Sequence, residues 1–242
     1  YDFYAYYPYD AAAIDPTKVL RGANADQTTA EAYAKSDFLS AKNLSVLAGT
    51  TNVSLSFSHL FSLVEVKVQG DKVTQRPEKV TLNNVKLAAE IDLTADIPAA
   101  TLTADAGVGT VVMYPLATGD AADKAPFVFR AIVPAQEVAA GTPLVDIENA
   151  TADGKTYTMS HPEIVSYEAG KCRQIIVTIA EAAKPALTIP ATDFTFNPWG
   201  TSESISGEVS EEVEPAKVIT TFTLPIETAT DFTALKGWKT NA

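Results

Sequence analysis

Cysteine and histidine are scarce in this 242-residue sequence, and their scarcity restricts its chemistry. The single cysteine, Cys172, excludes a disulfide within the chain, a pattern that suits a cytosolic protein and equally a surface protein built without disulfides. A Ser-His-Asp site would have to use His59 or His161. The chain has no nucleophile elbow, zinc-protease motif or glycine-rich phosphate loop. We therefore expect a protein that is not an enzyme, with no catalytic residue and no cofactor.

Positive charge and long apolar runs are also lacking. The chain has 18 Lys and Arg against 30 Asp and Glu, a net charge of −12, which would repel a nucleic-acid backbone. Its apolar runs, such as 175–177, fall far short of the ~20 residues of a membrane span. The chain opens with the letters YDFY rather than a basic and apolar leader, so we expect any leader to lie upstream of residue 1.

The groups that could bind a metal have simpler interpretations. Several acidic residues occur near predicted turns without calcium-loop spacing, and such residues are more often solvated or bonded to local backbone. His59 falls on the apolar face of a predicted strand, and Cys172 alternates with Gln174 and Ile176, which favours a buried, inert thiol. We expect no metal site. The acidic residues are Asp120, Asp123, Asp146, Glu148 and Asp153.

Thr, Val and Ile are abundant, and their branched side chains fit a pleated sheet better than a helix. From Asn52 onward the apolar residues recur with a period of two, and their parity changes at Leu63-Val64, which predicts a β-bulge. Short strands separated by turn-forming residues continue to about residue 180, which is typical of a β-sandwich. The predicted core contains Val53, Leu55, Phe57, Val66, Val111, Phe129, Ile176 and Ile179.

One short helix is predicted over residues 28–42. Thr28 and Glu31 fit a capping box, and apolar residues follow at nearly helical spacing.

The opening nine residues, YDFYAYYPY, form a predicted strand rich in aromatic rings. Its rings could form an exposed surface that stacks on carbohydrate, because aromatic rings offer apolar faces with polar tips. In the simpler interpretation, which we favour, alternate rings pack in the core and the others lie on the sheet surface. The candidate surface residues are Tyr4, Tyr6, Tyr7 and Tyr9.

The composition changes after Ile179. A further strand is predicted at 194–199, and residues 201–216 are acidic and serine-rich, which predicts a solvated loop or linker. Residues 217–242 form a tail with alternating strand character at Val218, Thr220, Phe222 and Leu224. This segment is too short to form a sandwich by itself. It is a possible donor strand, or the first strand of a further domain.

Four segments together resemble the fimbrillin family of pilus subunits and adhesins of Gram-negative anaerobes. These are YDFYAYYPY, SLSFSHLFSLVEVKV, YEAGKCRQIIVTI and FTFNPWG, and they occur in the family's order and spacing over residues 1–200. The resemblance implies tandem transthyretin-like β-sandwich domains. It also implies export as a lipoprotein to the outer membrane and assembly into a pilus by donor-strand exchange with other subunits.

The sequence departs from the family pattern at its beginning. Family members carry a lipoprotein signal with an anchoring cysteine and several strands before the YYPY motif, whereas the only cysteine here lies in a predicted strand. We therefore expect residues 1–50 to be the remainder of an incomplete N-terminal sandwich and residues 51–200 to form the C-terminal sandwich. The whole chain is predicted to be all-β with one short helix.

Two functions fit these patterns. The chain is either a structural, minor or tip subunit of a pilus, or a surface adhesin that binds a glycan or protein without polymerising. A stalk subunit should have a releasable strand and a tail that fills a neighbour's groove.

The absence of catalytic and metal-binding patterns gives a direct prediction. Replacing His59 or His161 singly with Asn should leave any adhesion or assembly activity largely intact, as measured by cell-binding and polymerisation assays. Elemental analysis should find no stoichiometric transition metal in the purified protein. Such a metal, together with unfolding on chelation, would contradict this prediction.

Overall fold

The computed structural model describes residues 1–11, 15–104 and 107–180, and the backbone of residues 203–209. Within these residues the chain is almost entirely β, with one six-residue helix, α1 (Ala30–Lys35). The all-β prediction is therefore confirmed. The strands, in chain order, are β1 (Phe3–Tyr7), β2 (Val19–Gly22), β3 (Leu39–Asn43), β4 (Ser58–His59), β5 (Phe61–Gln69), β6 (Lys79–Lys86), β7 (Ala88–Ile91), β8 (Ala100–Leu102), β9 (Val108–Val112), β10 (Tyr114–Pro115), β11 (Phe127–Pro134), β12 (Gln136–Val138), β13 (Pro143–Glu148), β14 (Thr156–Ser160), β15 (Val165–Tyr167), β16 (Cys172–Ile179) and β17 (Glu203–Val209).

These strands form four sheets and one two-stranded ribbon. Sheet I has the order β1-β3-β4, and sheet II has the order β2-β7-β8. Sheet III, the largest, has the order β10-β11-β5-β16-β17, and sheet IV has the order β14-β13-β6-β9. The ribbon pairs β12 with β15. Most neighbouring strands are antiparallel, but β16 runs parallel to both β5 and β17.

The buried side chains form two clusters, as expected for sheets that each bury one face. The larger core comes from sheets III and IV with the ribbon, and Val66, Leu82 and Ile175 are completely buried in it. The smaller core comes from sheets I and II, the start of β5 and the chain around Phe38, and contains Val19 and Ile91. Whether the two cores correspond to tandem domains with the predicted boundaries stays a prediction.

Strand β5 contributes to both cores. Phe61 and Leu63 belong to the smaller core, whereas Val64, Val66 and Val68, on the opposite side of the strand, belong to the larger one. The register between β5 and β11 runs without a shift from Phe61 to Val68. The predicted bulge is therefore wrong, because the apolar side of a regular strand changes where it passes from one core to the other.

The predicted core is only partly correct. Val66, Val111, Phe129 and Ile179 are buried, and Ile176 is half-buried on the side of β16 opposite Ile175. Residues 52–57, however, do not form a strand, since β4 begins at Ser58. Leu55 and Phe57 are exposed, with 36% and 49% of their surface accessible, and Val53 is only half-buried. The alternation of apolar residues with serine therefore belongs here to an exposed segment rather than to a core strand.

The helix is shorter than predicted, and its cap lies one residue later. Thr29, not Thr28, is the N-cap, because the backbone N–H of Ala32 donates to its hydroxyl at 3.1 Å. The Thr28 hydroxyl instead donates to Asp26 at 2.6 Å. Residues 39–42, predicted as helix, belong to β3. The Tyr33 ring stacks on the Tyr114 ring with centroids 5.1 Å apart, which fixes the helix against sheet III.

Residues 203–209 also differ from the prediction. They form β17, which pairs in parallel with β16 from Arg173 to Ile179, so a loop is wrong for this segment. Backbone hydrogen bonding to an existing strand overrides a composition rich in serine and glutamate. The predicted strand at 194–199, the rest of the acidic linker 201–216 and the tail at 217–242 lie outside the described residues.

A completely buried amide joins the N-terminal segment to sheet III. The Gln27 side chain donates to the backbone oxygen of Ile132 at 2.8 Å and accepts from its N–H at 2.9 Å. The amide thus supplies both bonds that a neighbouring strand would make. At the other end of Gln27, its backbone N–H donates to Val112 of β9 at 2.9 Å.

Two glycines with positive φ allow the cost of backbone strain to be measured separately from the cost of a steric clash. Gly70 has a φ of +125°, and a Cβ there would lie 2.2 Å from the carbonyl oxygen of Ile179. Gly49 has a φ of +87° with open space around it. Gly49→Ala should cost about 1–2 kcal/mol, whereas Gly70→Ala should cost about 3 kcal/mol or more because the clash adds to the strain. Urea unfolding of both variants measures the difference, and equal losses would contradict the clash.

Candidate functional site

Strand β1 carries four aromatic rings, and its pairing with β3 divides them between two sides of sheet I. Tyr4 and Tyr6 pack against the smaller core. The Tyr6 ring stacks on Phe38 with centroids 5.9 Å apart, and its hydroxyl donates to the Asp10 carbonyl at 2.9 Å. Tyr7 is 44% exposed and Tyr9, beyond the strand, is 82% exposed. The four candidate tyrosines are therefore placed as two inward and two exposed rings.

The outward side of sheet I carries a different set of rings. Phe3, Ala5 and Tyr7 alternate with Tyr4 and Tyr6 along β1, so Phe3 and Tyr7 share the outward side. Tyr7 lies opposite Leu39 of β3, and Leu39 lies opposite His59 of β4.

Phe57 joins this set from the segment before β4. It precedes His59 by two residues, which places it on the same side when the chain is extended. We call Phe3, Tyr7 and Phe57, with Ala5 and Leu39 between them, the aromatic face. Phe3 is 41% exposed and Phe57 is 49% exposed.

Exposed apolar side chains concentrate around this face. Twelve large apolar residues are exposed in the described part of the chain, and eight of them lie in residues 1–9 and 44–57. Singly scattered apolar residues are ordinary on a protein surface, whereas exposed apolar residues grouped in this way form a candidate interaction site. The eight are Tyr1, Phe3, Tyr7, Tyr9, Leu44, Leu47, Leu55 and Phe57.

Strand β1 is also an edge strand. Among the described residues it pairs only with β3, so the other side of its backbone has no strand partner. Its start is held by the Tyr1 amino group, which donates to the Val46 carbonyl at 2.8 Å, and by Asp2, which accepts from the Ser45 N–H at 2.8 Å. An ordered edge with apolar side chains is a ready template for another strand.

Sheet II forms a second concave surface. A groove of about 990 Å³ runs over β2, β7, β8 and the segment 92–99, with a floor of small residues that includes Gly22, Ala88 and Thr101. Leu20 and Ile97 line the groove as well and are 57% and 85% exposed. Lys18 and Glu90, which also line the groove, form an ion pair at 3.4 Å. Strand β8 is the terminal strand of this sheet.

Arg21 lines the groove but already has several partners. Its guanidinium lies 5.5 Å from the Tyr6 ring centroid, donates to the Pro8 carbonyl at 2.7 Å and pairs with Asp10 at 3.0 Å. These contacts tie β2 to the end of β1. We therefore assign Arg21 to the structure of the smaller core rather than to a ligand.

The two histidines make structural contacts. His59 Nδ1 lies 2.9 Å from a carboxylate oxygen of Asp37, and burial raises the pKa of Asp37 above its usual value although His59 opposes the shift. His161 is 5% exposed, and its Nδ1 accepts from the Glu163 N–H at 3.2 Å. His59 is thus half-exposed at the margin of the aromatic face rather than buried in a core.

Most of the acidic residues near turns have partners close by. Asp146 accepts from the Thr158 hydroxyl at 2.6 Å, Glu148 pairs with Lys79 at 2.5 Å, and Asp120 accepts from the Ala122 N–H at 2.7 Å. In the described part of the chain, no group of three His, Cys, Asp or Glu residues is arranged to hold a metal ion. The same described residues include no helix that is long and apolar enough to cross a membrane.

The fold places this chain in the class of all-β, sandwich-like proteins. Solved structures of candidate cell adhesion proteins share this fold. One from Bacteroides ovatus matches with a TM-score of 0.61 and 21% identity, over 84% of this chain and 69% of its own. One from Bacteroides uniformis matches with a TM-score of 0.55 and 18% identity, over 74% and 67%. At these identities the likeness concerns the fold alone. Among curated protein sequences, none matches this chain.

The sequence profile of the fimbrillin-like family matches residues 1–199, so the chain belongs to the fimbrillin-like family. The resemblance noted in the sequence is thereby confirmed. Membership makes this a pilus- or adhesion-related protein of the cell surface.

Sequence reasoning included Phe3 among the rings of the opening strand but did not divide those rings between its two sides, and it missed the exposure of Leu55 and Phe57. Parity along YDFYAYYPY would have grouped Phe3 with Tyr7 and Tyr9 rather than with Tyr4 and Tyr6. The sequence carries no comparable signal for Phe57, because apolar residues that alternate with serine occur both in half-buried strands and in exposed segments. The groove on sheet II had only a weak signal in its alanine-rich floor.

The buried thiol of Cys172 gives a further prediction. Burial raises the pKa of Cys172 to about 11, so at pH 8 roughly one thiol in a thousand is ionised. Iodoacetamide at pH 8 should leave the native protein essentially unmodified over a time that fully alkylates it in 8 M urea. Mass spectrometry gives the modified fraction. Rapid stoichiometric alkylation of the native protein would contradict the buried, inert assignment.

Proposed function

We propose that this chain is a structural, minor or tip subunit of a cell-surface pilus that assembles by strand exchange and serves cell adhesion. The observation that carries this proposal is the edge strand β1, whose backbone has no second strand partner among the described residues. A strand added there would complete the backbone ladder of sheet I. It would also cover apolar surface beside the smaller core, since Tyr4 and Tyr6 are only half-buried.

The donor in this proposal is the segment with Val218, Thr220, Phe222 and Leu224. Residues 218–226 contain no charged side chain, whereas a fifth of the whole chain is charged. A charge-free strand adds no repulsion of its own where it meets a subunit of net charge −12, and it can be buried without the cost of burying a charge. Alternate side chains would fill pockets, while the backbone supplies the hydrogen bonds.

The groove on sheet II is the other surface in reach of such a partner. Its small-residue floor leaves room for an extended chain, and β8 offers the terminal strand of its sheet. Both edges belong to the half of the structure built around the smaller core. An incoming strand would therefore stabilise the smaller core rather than the larger one.

The proposal also includes export of the protein to the cell surface. The fimbrillin resemblance supports delivery as a lipoprotein to the outer membrane and incorporation into a fimbrium with other subunits, identical or different. In this proposal the protein is not an enzyme, and its chemistry is backbone pairing and apolar contact.

An adhesin that does not polymerise is the second candidate. The aromatic face favours it, because an exposed cluster of rings provides a ligand-binding surface without any strand exchange.

The tail can be tested with charge substitutions on its two sides. Phe222→Asp together with Leu224→Asp should abolish polymer formation while the monomer stays folded, because both carboxylates would enter apolar pockets. Thr221→Asp together with Thr223→Asp adds the same charge on the other side of the segment and should polymerise better. Electron microscopy and light scattering measure the polymers.

Two results would contradict strand donation through the tail. One is normal polymerisation by a chain that ends at Glu214. The other is an equal loss in both pairs of variants, which would attribute the effect to charge alone.

A further inference from the structure

We propose that the aromatic face of sheet I is a carbohydrate-binding platform that takes a neutral glycan by ring stacking. The proposal adds a ligand class to the adhesive function proposed above and rests on that function only for its biological meaning. It is independent of strand donation, because the rings involved lie on the face of the sheet rather than along its backbone edge.

The rings are held on a regular scaffold. Phe3 and Tyr7 lie four residues apart on one strand, about 13 Å along it. Five consecutive residue pairs join β1 to β3, and the inward Tyr6 stacks on Phe38 behind the face. Rings on a paired strand lose little freedom on binding, so stacking costs little conformational entropy.

The surroundings of the face are uncharged. Residues 1–9 and 39–59 contain only two formally charged side chains, Asp2 and Lys42, in a chain that is 20% charged. Lys42 lies opposite Tyr4, on the inward side, and donates to the Ala95 and Asp96 carbonyls at 2.7 and 2.8 Å. Asp2 accepts from the backbone of Ser45. The chain as a whole carries a charge of −12, so an acidic polysaccharide or anionic lipid would be repelled and a neutral partner is favoured.

Polar groups share the outward side of sheet I with the rings. Asn43 lies opposite Phe3, and the half-exposed His59 lies opposite Leu39. Ring faces contact the apolar faces of a sugar, and the amide, the imidazole and the Tyr7 hydroxyl can donate to or accept from the sugar hydroxyls. The mixture of rings and polar groups favours a sugar over a purely apolar partner.

The test compares a triple variant of the face with a control variant by electrophoresis in native gels that contain a polysaccharide. The neutral probes are yeast mannan, dextran, laminarin and arabinoxylan, and alginate is the anionic comparison. Phe3→Ser, Tyr7→Ser and Phe57→Ser remove the face. Val108→Ser together with Ile164→Ser removes two exposed apolar side chains that belong neither to the face nor to the groove, and serves as the control.

We expect at least one neutral probe to retard the unmodified chain and the control variant equally. The variant without the face should bind that probe roughly tenfold more weakly or worse, as the loss of several ring contacts implies. Circular dichroism and thermal unfolding should show both variants folded, because the replaced side chains are exposed. Single variants at Phe3 and Tyr7 give the same comparison if the triple variant is unstable.

Several results would overturn the proposal. These are no retardation by any neutral probe, retardation by alginate alone, or equal weakening in the control variant. Reduced self-association of the variant without the face, with its glycan retardation unchanged, would instead make this face an interface between copies. The chain with Phe222→Asp and Leu224→Asp should keep its glycan binding, so failure of strand donation and failure of the platform are distinguishable.

Discussion

The structure depends on β5, the strand that is paired on both sides and belongs to both cores. Antiparallel β11 and parallel β16 flank it, so its backbone is satisfied without solvent. Its one buried charge, Glu65, is neutralised by Arg130 at 2.7 Å and accepts from the Gln174 amide at 2.7 Å. Both neighbouring strands thus supply a partner for this carboxylate, and loss of the Arg130 guanidinium would leave a penalty of about 3–5 kcal/mol. This one strand thereby connects the two cores.

The sequence predicted the β class and much of the larger core because these depend on local properties. Branched side chains and period-two alternation identified Val66, Val111, Phe129 and Ile179 correctly. The same alternation was misleading at Leu55 and Phe57. Apolar residues at every second position indicate an extended chain, but they do not show that a core covers it. The end of the helix and the strand at 203–209 depend on pairing with distant strands, and local composition carries no record of that pairing.

The candidate site was predictable in kind but not in arrangement. An aromatic strand at the start of the chain was evident, yet the side on which each ring lies is set by its register with β3, more than 30 residues away. That register turns Tyr4 and Tyr6 into core residues and leaves Phe3 and Tyr7 outside. Phe57 is brought beside the face because β4, the strand that directly follows it, pairs with β3. A surface assembled from three segments has no signature in any one of them.

The parallel pairing of β5 with β16 has a mechanical consequence for a protein of the cell surface. Seven residue pairs join the two strands, from Leu63 with Cys172 to Gln69 with Thr178. A pull that enters at Phe61 and leaves at Ile179 acts on opposite ends of this ladder, along the strands. The hydrogen bonds are then loaded together in shear instead of being opened one after another. The central pair of strands is thus oriented to resist a pulling force, whichever ligand transmits that force.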